Sequence, residues 1–285
     1  MIRLLKRPLL VFAVLVLILI ELPPADAYTL QGRHLLRLMI QNIGRAHRLE
    51  AVHSIQLARE VQGTGISDLR EIVRYDFPTA FRSDVMAGRD MLRIHLVARG
   101  KTLTVAGERV YPGFENRLDL YKDLLLYRSR DALENRLAAL GVDVAVSSHG
   151  RWNGRPVFIV GARYPDETVP QVWLDKLSFR PVRWIISGKN EPTVEDSFEV
   201  WYLNWRQAGK IWYPMRIEFF QNKIKIREVE VSDVRVNPPF SKALFRSEDL
   251  LSLYPPGKPP VLDWGESSSL NETPEPFEEI RNLHE

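Results

Sequence analysis

Cysteine is absent from the 285 residues, which excludes disulfides, thiolate catalysis, cysteine-held zinc, iron–sulfur clusters and a lipid-bearing N-terminal cysteine. The six histidines, His34, His47, His53, His95, His149 and His284, sit at no metal-ligating spacing. Phosphate cradles of the GxGxxG or GxxxxGK[ST] form are missing too. Ser147-Ser148-His149 lacks the GxSxG elbow that exposes a nucleophilic serine. Asp175 follows Trp173-Leu174, has no partner carboxylate, and reads as a turn residue. The expectation is a protein with no enzyme activity, no metal and no cofactor. Excess charge of one sign is lacking as well: 39 Lys and Arg against 36 Asp and Glu give +3, too balanced for a nucleic-acid partner.

Long apolar runs are equally scarce. The single one, Leu9 to Ile20, follows Arg3, Lys6 and Arg7 and precedes Ala25-Asp26-Ala27. Its 12 residues fall short of the roughly 18 that span a bilayer, and Ala-x-Ala is a signal-peptidase site. Residues 1–27 therefore read as a cleavable signal peptide, which implies export to the periplasm of a Gram-negative cell. The alternative is an uncleaved N-terminal anchor in the inner membrane, facing the periplasm. Without residues 1–27 the chain holds 36 bases against 34 acids. Residues 255–285 contribute seven acids, two bases and several prolines, and read as an extended acidic tail. The body, 28–254, is left with a net of +7.

What the body does contain is a rhythm. Thr29 can cap a helix running to about Arg48, with Leu35, Leu36, Leu38, Met39 and Ile43 on its apolar side. Short runs rich in Val, Ile, Phe, Trp and Tyr then recur every eight to twelve positions: 52–60, 69–76, 80–87, 91–98, 102–107, 144–151, 155–162, 170–175, 181–187, 197–206, 211–221 and 223–236. Turns are expected at Gly63-Thr64-Gly65, Gly88-Arg89-Asp90, Gly100-Lys101, Asn153-Gly154 and Ala208-Gly209-Lys210. The pattern predicts an all-antiparallel sheet or barrel. One interruption, 114–141, carries Leu118, Leu120, Leu124, Leu125, Leu126, Leu133, Leu137 and Leu140 at helical spacing, with Gly141 at a helix end. Strand 155–162 is apolar on both faces, and a bulge is expected near Arg227-Glu228. Alternation places Trp201, Leu203 and Trp205 on one face, opposite Tyr202, and groups Tyr213, Met215, Ile217 and Phe219. The expected inner face is large, aromatic and continuous. A few short helices cover so wide a sheet incompletely, which points to a hydrophobic cavity.

Together these residues resemble the LolA-like periplasmic lipoprotein carriers, the outer-membrane lipoprotein-sorting proteins. The matching features are Pro78 to Phe81-Arg82 between two strands, Gly100-Lys101-Thr102-Leu103 at a hairpin, Asn237-Pro238-Pro239 followed by Phe245, and the GRPV, WLDK and PVR segments within 151–185. The resemblance spans residues 28–246. It implies an α+β, mainly antiparallel β fold, a curled half-open β-barrel of about 11 strands with an N-terminal helix and a helical lid insertion. It also implies an apolar cavity for acyl chains. One departure stands out: the family carries a basic residue before the proline matched by Pro78, where it helps hold the lid, and this chain has Phe77. Arg74 or Arg82 would have to substitute.

The expected function is that of a periplasmic carrier binding the acyl chains of lipoproteins or other lipids, for outer-membrane lipoprotein sorting. An inner-membrane transporter as donor and an outer-membrane acceptor are the expected partners, and the protein is expected to be a monomer. The alternative is an envelope regulatory sensor binding a protein partner through the same fold. Expected cavity residues are Trp173, Trp201, Leu203, Trp205, Met215, Ile217 and Phe219, with Leu124, Leu125 and Leu137 from the lid. These assignments rest on strand phase, and a one-residue slip exchanges the faces.

Overall fold

In the computed structural model, residues 29–58, 69–187 and 197–258 are described. The expected signal peptide, the expected Gly63-Thr64-Gly65 turn and the tail from 259 lie outside them. Where period-two alternation runs through the described chain, it forms strands. The first group is a meander: β1 (Arg48–Leu57), β2 (Leu69–Asp76), β3 (Ala80–Ala87), β4 (Asp90–Ala98), β5 (Lys101–Ala106) and β6 (Arg109–Pro112). The second follows after the helical interruption: β7 (Ser147–Trp152), β8 (Arg155–Val160), β9 (Gln171–Asp175), β10 (Pro181–Ser187), β11 (Ser197–Ala208), β12 (Ile211–Gln221) and β13 (Ile224–Val236). Asn153-Gly154 closes the β7–β8 hairpin at φ +49° and +77°, the left-handed pair that a type I′ turn requires.

All thirteen strands form one antiparallel sheet in the order β6-β5-β4-β3-β2-β1-β13-β12-β11-β10-β9-β8-β7. The two meanders meet where β1 pairs with β13, Leu49 opposite Val236. The sheet is not closed, and β6 and β7, consecutive in sequence, are its two outermost strands. Residues 113–146 therefore have to pass from one edge to the other. They do so as a 3-10 turn (Arg117–Lys122) running into α2 (Asp123–Leu126), then α3 (Arg130–Ala139).

The N-terminal helix α1 (Gly32–Ile43) packs beside α3 and against β8 and β12. It stops short of the expected Arg48 for two reasons. Gly44 adopts φ +92° and faces Lys210, whose carbonyl oxygen lies 2.1 Å from where a Cβ would stand. Beyond it the Asn237 side chain accepts hydrogen bonds from the amides of His47 (2.9 Å) and Arg48 (3.0 Å), drawing them into the sheet. The sheet has 13 strands where about 11 are expected; the twelve runs read in the sequence each supply one, and the thirteenth, four-residue β6, is too short to show a period. The expected bulge is present one residue early: Phe219 pairs with Arg227 and Phe220 with Lys225, leaving Ile226 out of the ladder.

Helices α1 to α3 lie on one face, here the inner face. There Leu35, Leu36, Met39 and Ile43 of α1 and Leu124, Leu125, Leu126, Leu133 and Leu137 of the crossing segment join Val160, Val172, Trp184, Phe198, Val200, Tyr202, Ile217 and Phe219 in one buried cluster. Two smaller clusters cover the outer face. At the β3–β6 wing, α4 (Ser247–Leu253) sets Leu250 against Ile94, Leu96, Leu103 and Val105. At the β7–β9 wing, Val157, Ile159, Ala162 and Trp173 pack together, so β8 is covered on both sides as its sequence indicates. The chain stays on the sheet past Tyr254: the Val110 amide donates to the Pro255 carbonyl (2.9 Å) and the Gly257 amide to that of Val110 (2.8 Å). No helix of the described residues is long and apolar enough to cross a membrane.

Candidate functional site

The inner face is apolar along most of its width. Under β8–β13 the leucines of the crossing segment close onto it, and under β1–β3 Leu49, Ile55, Leu69, Val73, Tyr75, Phe81 and Val85 continue the same cluster. A patch of buried polar groups on β1–β5 interrupts the expected continuous aromatic surface. Glu71 lies in phase with Leu69, Val73 and Tyr75, and Ser83 with Phe81 and Val85, so both are carried inward; with His95 they lie buried beneath the helices beside His53 and Thr104. Such groups are tolerated inside only when partnered.

The first polar network is centred on Glu71. Its carboxylate accepts from Ser83 Oγ (2.5 Å), from His53 Nδ1 (2.9 Å) and from Arg227 Nη2 (3.2 Å). This assigns the proton to Nδ1 of His53 and leaves Nε2, 3.2 Å away, to accept from the Tyr213 hydroxyl. Burial alone would raise the Glu71 pKa, but the His53 hydrogen bond and the Arg227 charge outweigh it and hold it down to about 2.

The second network fastens the crossing segment to β4. Asn116 caps the 3-10 turn: its Oδ1 accepts from the Leu118 amide at 2.7 Å, and Asp119 accepts from the Asn116 amide at 3.1 Å. Asp119 also takes both ends of the Arg93 guanidinium, at 2.7 and 2.6 Å, the bidentate geometry that makes Arg–carboxylate pairs strong. Lys122 pairs with Glu115 and with Asp123 (3.0 Å), and Arg136 from α3 reaches Glu115 and Asp123 (2.6 Å). Three acids thus meet three bases in a buried cluster. Burial would raise the carboxyl pKa of Asp119, but the Arg93 charge outweighs it and holds it well below the usual range. Desolvation would lower that of Lys122, and Asp123 and Glu115 reverse it.

A third polar group has no such company. Arg128, in the turn between α2 and α3, lays its guanidinium over the Phe77 ring at 4.6 Å. Its Nε and Nη1 are sealed from water without a hydrogen-bond partner. The Phe77 ring also lines a cleft of about 440 Å³ whose wall includes Asp76, Arg99, Lys242, Phe245 and Arg246.

No protein-family model matches this sequence, and no curated protein does. Solved structures do. A domain described as an outer membrane lipoprotein-sorting protein domain, from Vibrio parahaemolyticus, superposes with TM-score 0.52 at 14% identity, covering 77% of this chain and 97% of its own. A LolA superfamily protein from Nitrosomonas europaea gives TM-score 0.52 at 9% identity, with 78% of this chain and 100% of its own covered. The chain has the LolA-like fold. At such identities the likeness lies in the path of the backbone: an open antiparallel sheet with helices on its inner face.

Within this LolA-like frame the expected cavity residues separate. Ile217 and Phe219 belong to the inner cluster with Leu124, Leu125 and Leu137, and Met215 and Trp205 pack at its border. Trp173, Trp201 and Leu203 point the other way. Trp173 is buried in the outer cluster with Val157 and Ile159. Trp201 sits against Phe220 and Trp152, ring centroids 4.3 and 5.4 Å away, and donates its Nε1 proton to Glu199 at 3.0 Å. The phase of β11 is carried inward by Phe198, Val200 and Tyr202 instead. Past Tyr202, Asn204 adopts φ +53°, and Trp205 after it packs at the border of the inner cluster. Arg74 and Arg82 do not stand in for the missing cation beside Pro78. Both pair with Asp84 on the outer face, Arg74 also with Glu50. The cation at Phe77 comes from the opposite partner, Arg128 on the crossing segment.

The expectation of a standing cavity also meets a physical limit. Leu124, Leu137, Ile217 and Phe219 are 0% exposed, so no water-sized space borders them. The apolar part of the inner face is covered by the protein's own leucines. Ser147 and Ser148 spend their hydroxyls on the carbonyls of Leu30 (2.8 Å) and Ala162 (2.9 Å), and Asp175 ties its own turn through Ser178.

Proposed function

We propose that the protein is a periplasmic carrier that takes the acyl chains of lipoproteins or other lipids between the apolar face of the sheet and the crossing helices, for delivery to the outer membrane. The single observation that supports this most is the path of residues 113–146, which connect the two outermost strands of an open sheet and cover its apolar face as a separate layer. The form described here is the closed one. Cargo enters by displacing the layer, so the leucines stand where acyl chains would lie.

The energies are of matching size. Five buried leucines at about 1.5–3 kcal/mol each represent roughly 8–15 kcal/mol of burial, and an acyl chain of about 16 carbons at ~0.8 kcal/mol per CH₂ offers ~13 kcal/mol gross. Exchanging one for the other is close to neutral, which suits a protein that has to release what it binds. An unopposed cavity would hold the chain too tightly. The carrier needs no reaction chemistry, and its partners are a donor at the inner membrane and an acceptor at the outer one. Mass spectrometry of an organic extract of the purified protein tests the proposal. Recovered phospholipid or lipopeptide supports it; a clean extract, together with no uptake from lipid vesicles, refutes it.

A further inference from the structure

Arg128 presents a chemical imbalance. Glu115, Asp119, Lys122, Asp123 and Arg136 on the same crossing segment, and Arg93 facing them, all find an opposite charge, whereas Arg128 finds none among the described residues. The residue as a whole is half-buried, yet its Nε and Nη1 are sealed from water and make no hydrogen bond. Burial lowers its pKa to about 10, opposed by the weakly acidic Tyr75. At neutral pH it remains a cation. An isolated buried charge costs several kcal/mol, and an aromatic face returns only a part of that, about 0.5–2 kcal/mol. A neighbouring cleft adds positive charge. It shares Phe77 with Arg128 without being lined by Arg128 itself, and within its 440 Å³ Arg99, Lys242 and Arg246 face a single acid, Asp76. That acid already has Arg48 at 3.5 Å.

We infer that this end of the molecule receives the anionic headgroup of the cargo, a phosphodiester or carboxylate, and that Arg128 is its counter-ion. A guanidinium with free Nε and Nη positions is the side chain that grips such an anion through paired hydrogen bonds. Its place between α2 and α3 couples headgroup recognition to the segment that has to move. The inference rests on the carrier reading above and narrows it: the preferred ligand is an acyl lipid with a net negative head.

The test compares uptake from vesicles of phosphatidylglycerol with uptake from vesicles of phosphatidylcholine, acyl chains matched. The wild-type protein is expected to take the anionic lipid about tenfold better. Arg128→Gln should lose far more of the phosphatidylglycerol uptake than of the phosphatidylcholine uptake and so shrink the difference between them, and Arg128→Lys should restore part of it. Melting curves confirm that each variant is folded. Equal uptake of the two lipids by the wild type overturns the inference and leaves the carrier reading intact; uptake of neither removes both. Displacement of bound phosphatidylglycerol by millimolar inorganic phosphate would assign the guanidinium to free phosphate and overturn the headgroup assignment, and persistence of the lipid supports it.

Discussion

At Arg128 a single side chain holds a charge that the fold does not answer. In a ligand-free protein that charge is a pure cost, so its removal should stabilise. Arg128→Met, which keeps the contact with Phe77, is expected to raise stability by about 1–3 kcal/mol, or roughly 2–4 °C per kcal/mol in a chain of this size, read by thermal melting. Glu71 is the reverse case, a buried carboxylate with three donors. Its folded pKa, about 2, lies below its ordinary 4.5. A depressed carboxyl contributes stability that is complete above the unfolded value and disappears as pH falls through the folded one. Glu71→Gln is therefore expected to cost about 3 kcal/mol at pH 7, with the deficit shrinking between pH 4.5 and 2 until the two proteins unfold alike. Denaturant titrations across that range measure it. A deficit that stayed constant with pH would mean that steric fit at Glu71, and not its charge, supports the site.

Among the elements, strands were the most legible part of the sequence, because a two-residue period bounded by Gly, Asn and Asp turns leaves few alternatives. The inward face of β11 was not, since both of its alternating sets are aromatic or aliphatic: Phe198, Val200 and Tyr202 against Trp201 and Leu203. What decides between them is α1 and the crossing segment, which cover one side. A usable signal lay in the neighbouring strand. Ile217 pairs with Tyr202, and opposed residues share a face, so a correct reading of β12 fixes β11. The polar patch on the inner face escaped for another reason. Arg93 and His95 fall out of phase with the apolar set of β4 and look solvent-facing, while Glu71 falls in phase with Leu69 and Val73 but is charged; some of the groups that justify burying Arg93 and His95, such as Glu115 and Asp119, come from elsewhere in the chain. That ionic cluster predicts the behaviour of the crossing segment. Lys122→Met leaves Asp123 and Glu115 with one cation fewer in a buried setting, at a cost of about 3 kcal/mol, or roughly a hundredfold easier local opening. Hydrogen exchange should accelerate by that order in peptides covering 117–139 and stay slow in β11 and β12. Uniform acceleration would show that the segment opens only with global unfolding.

For the molecule as a whole, the order of the sheet sets the function. Two meanders share the β1–β13 seam, so their outer edges, β6 and β7, stay apart, and the chain between them crosses over the inner face. Such a layer is tied at both ends and by the Arg93–Asp119 pair in between, an arrangement that can lift while the strands keep their ladders. If cargo lies beneath it, fastening the middle should block uptake. Because the protein has no cysteine of its own, the pair Arg93→Cys and Asp119→Cys offers two unique thiols that a short bis-maleimide can join. Linked protein is expected to lose lipid uptake to background while melting no lower than the unlinked variant, and a reducible linker should return uptake when cut. Trp201→Asp is the matching control: on the outer face, against Phe220 and Trp152, it is expected to leave uptake unchanged. Full uptake by the linked protein would place the cargo outside the crossing segment and end the carrier mechanism drawn from this topology. Loss of uptake in Trp201→Asp with the fold intact would move the binding surface to the outer face.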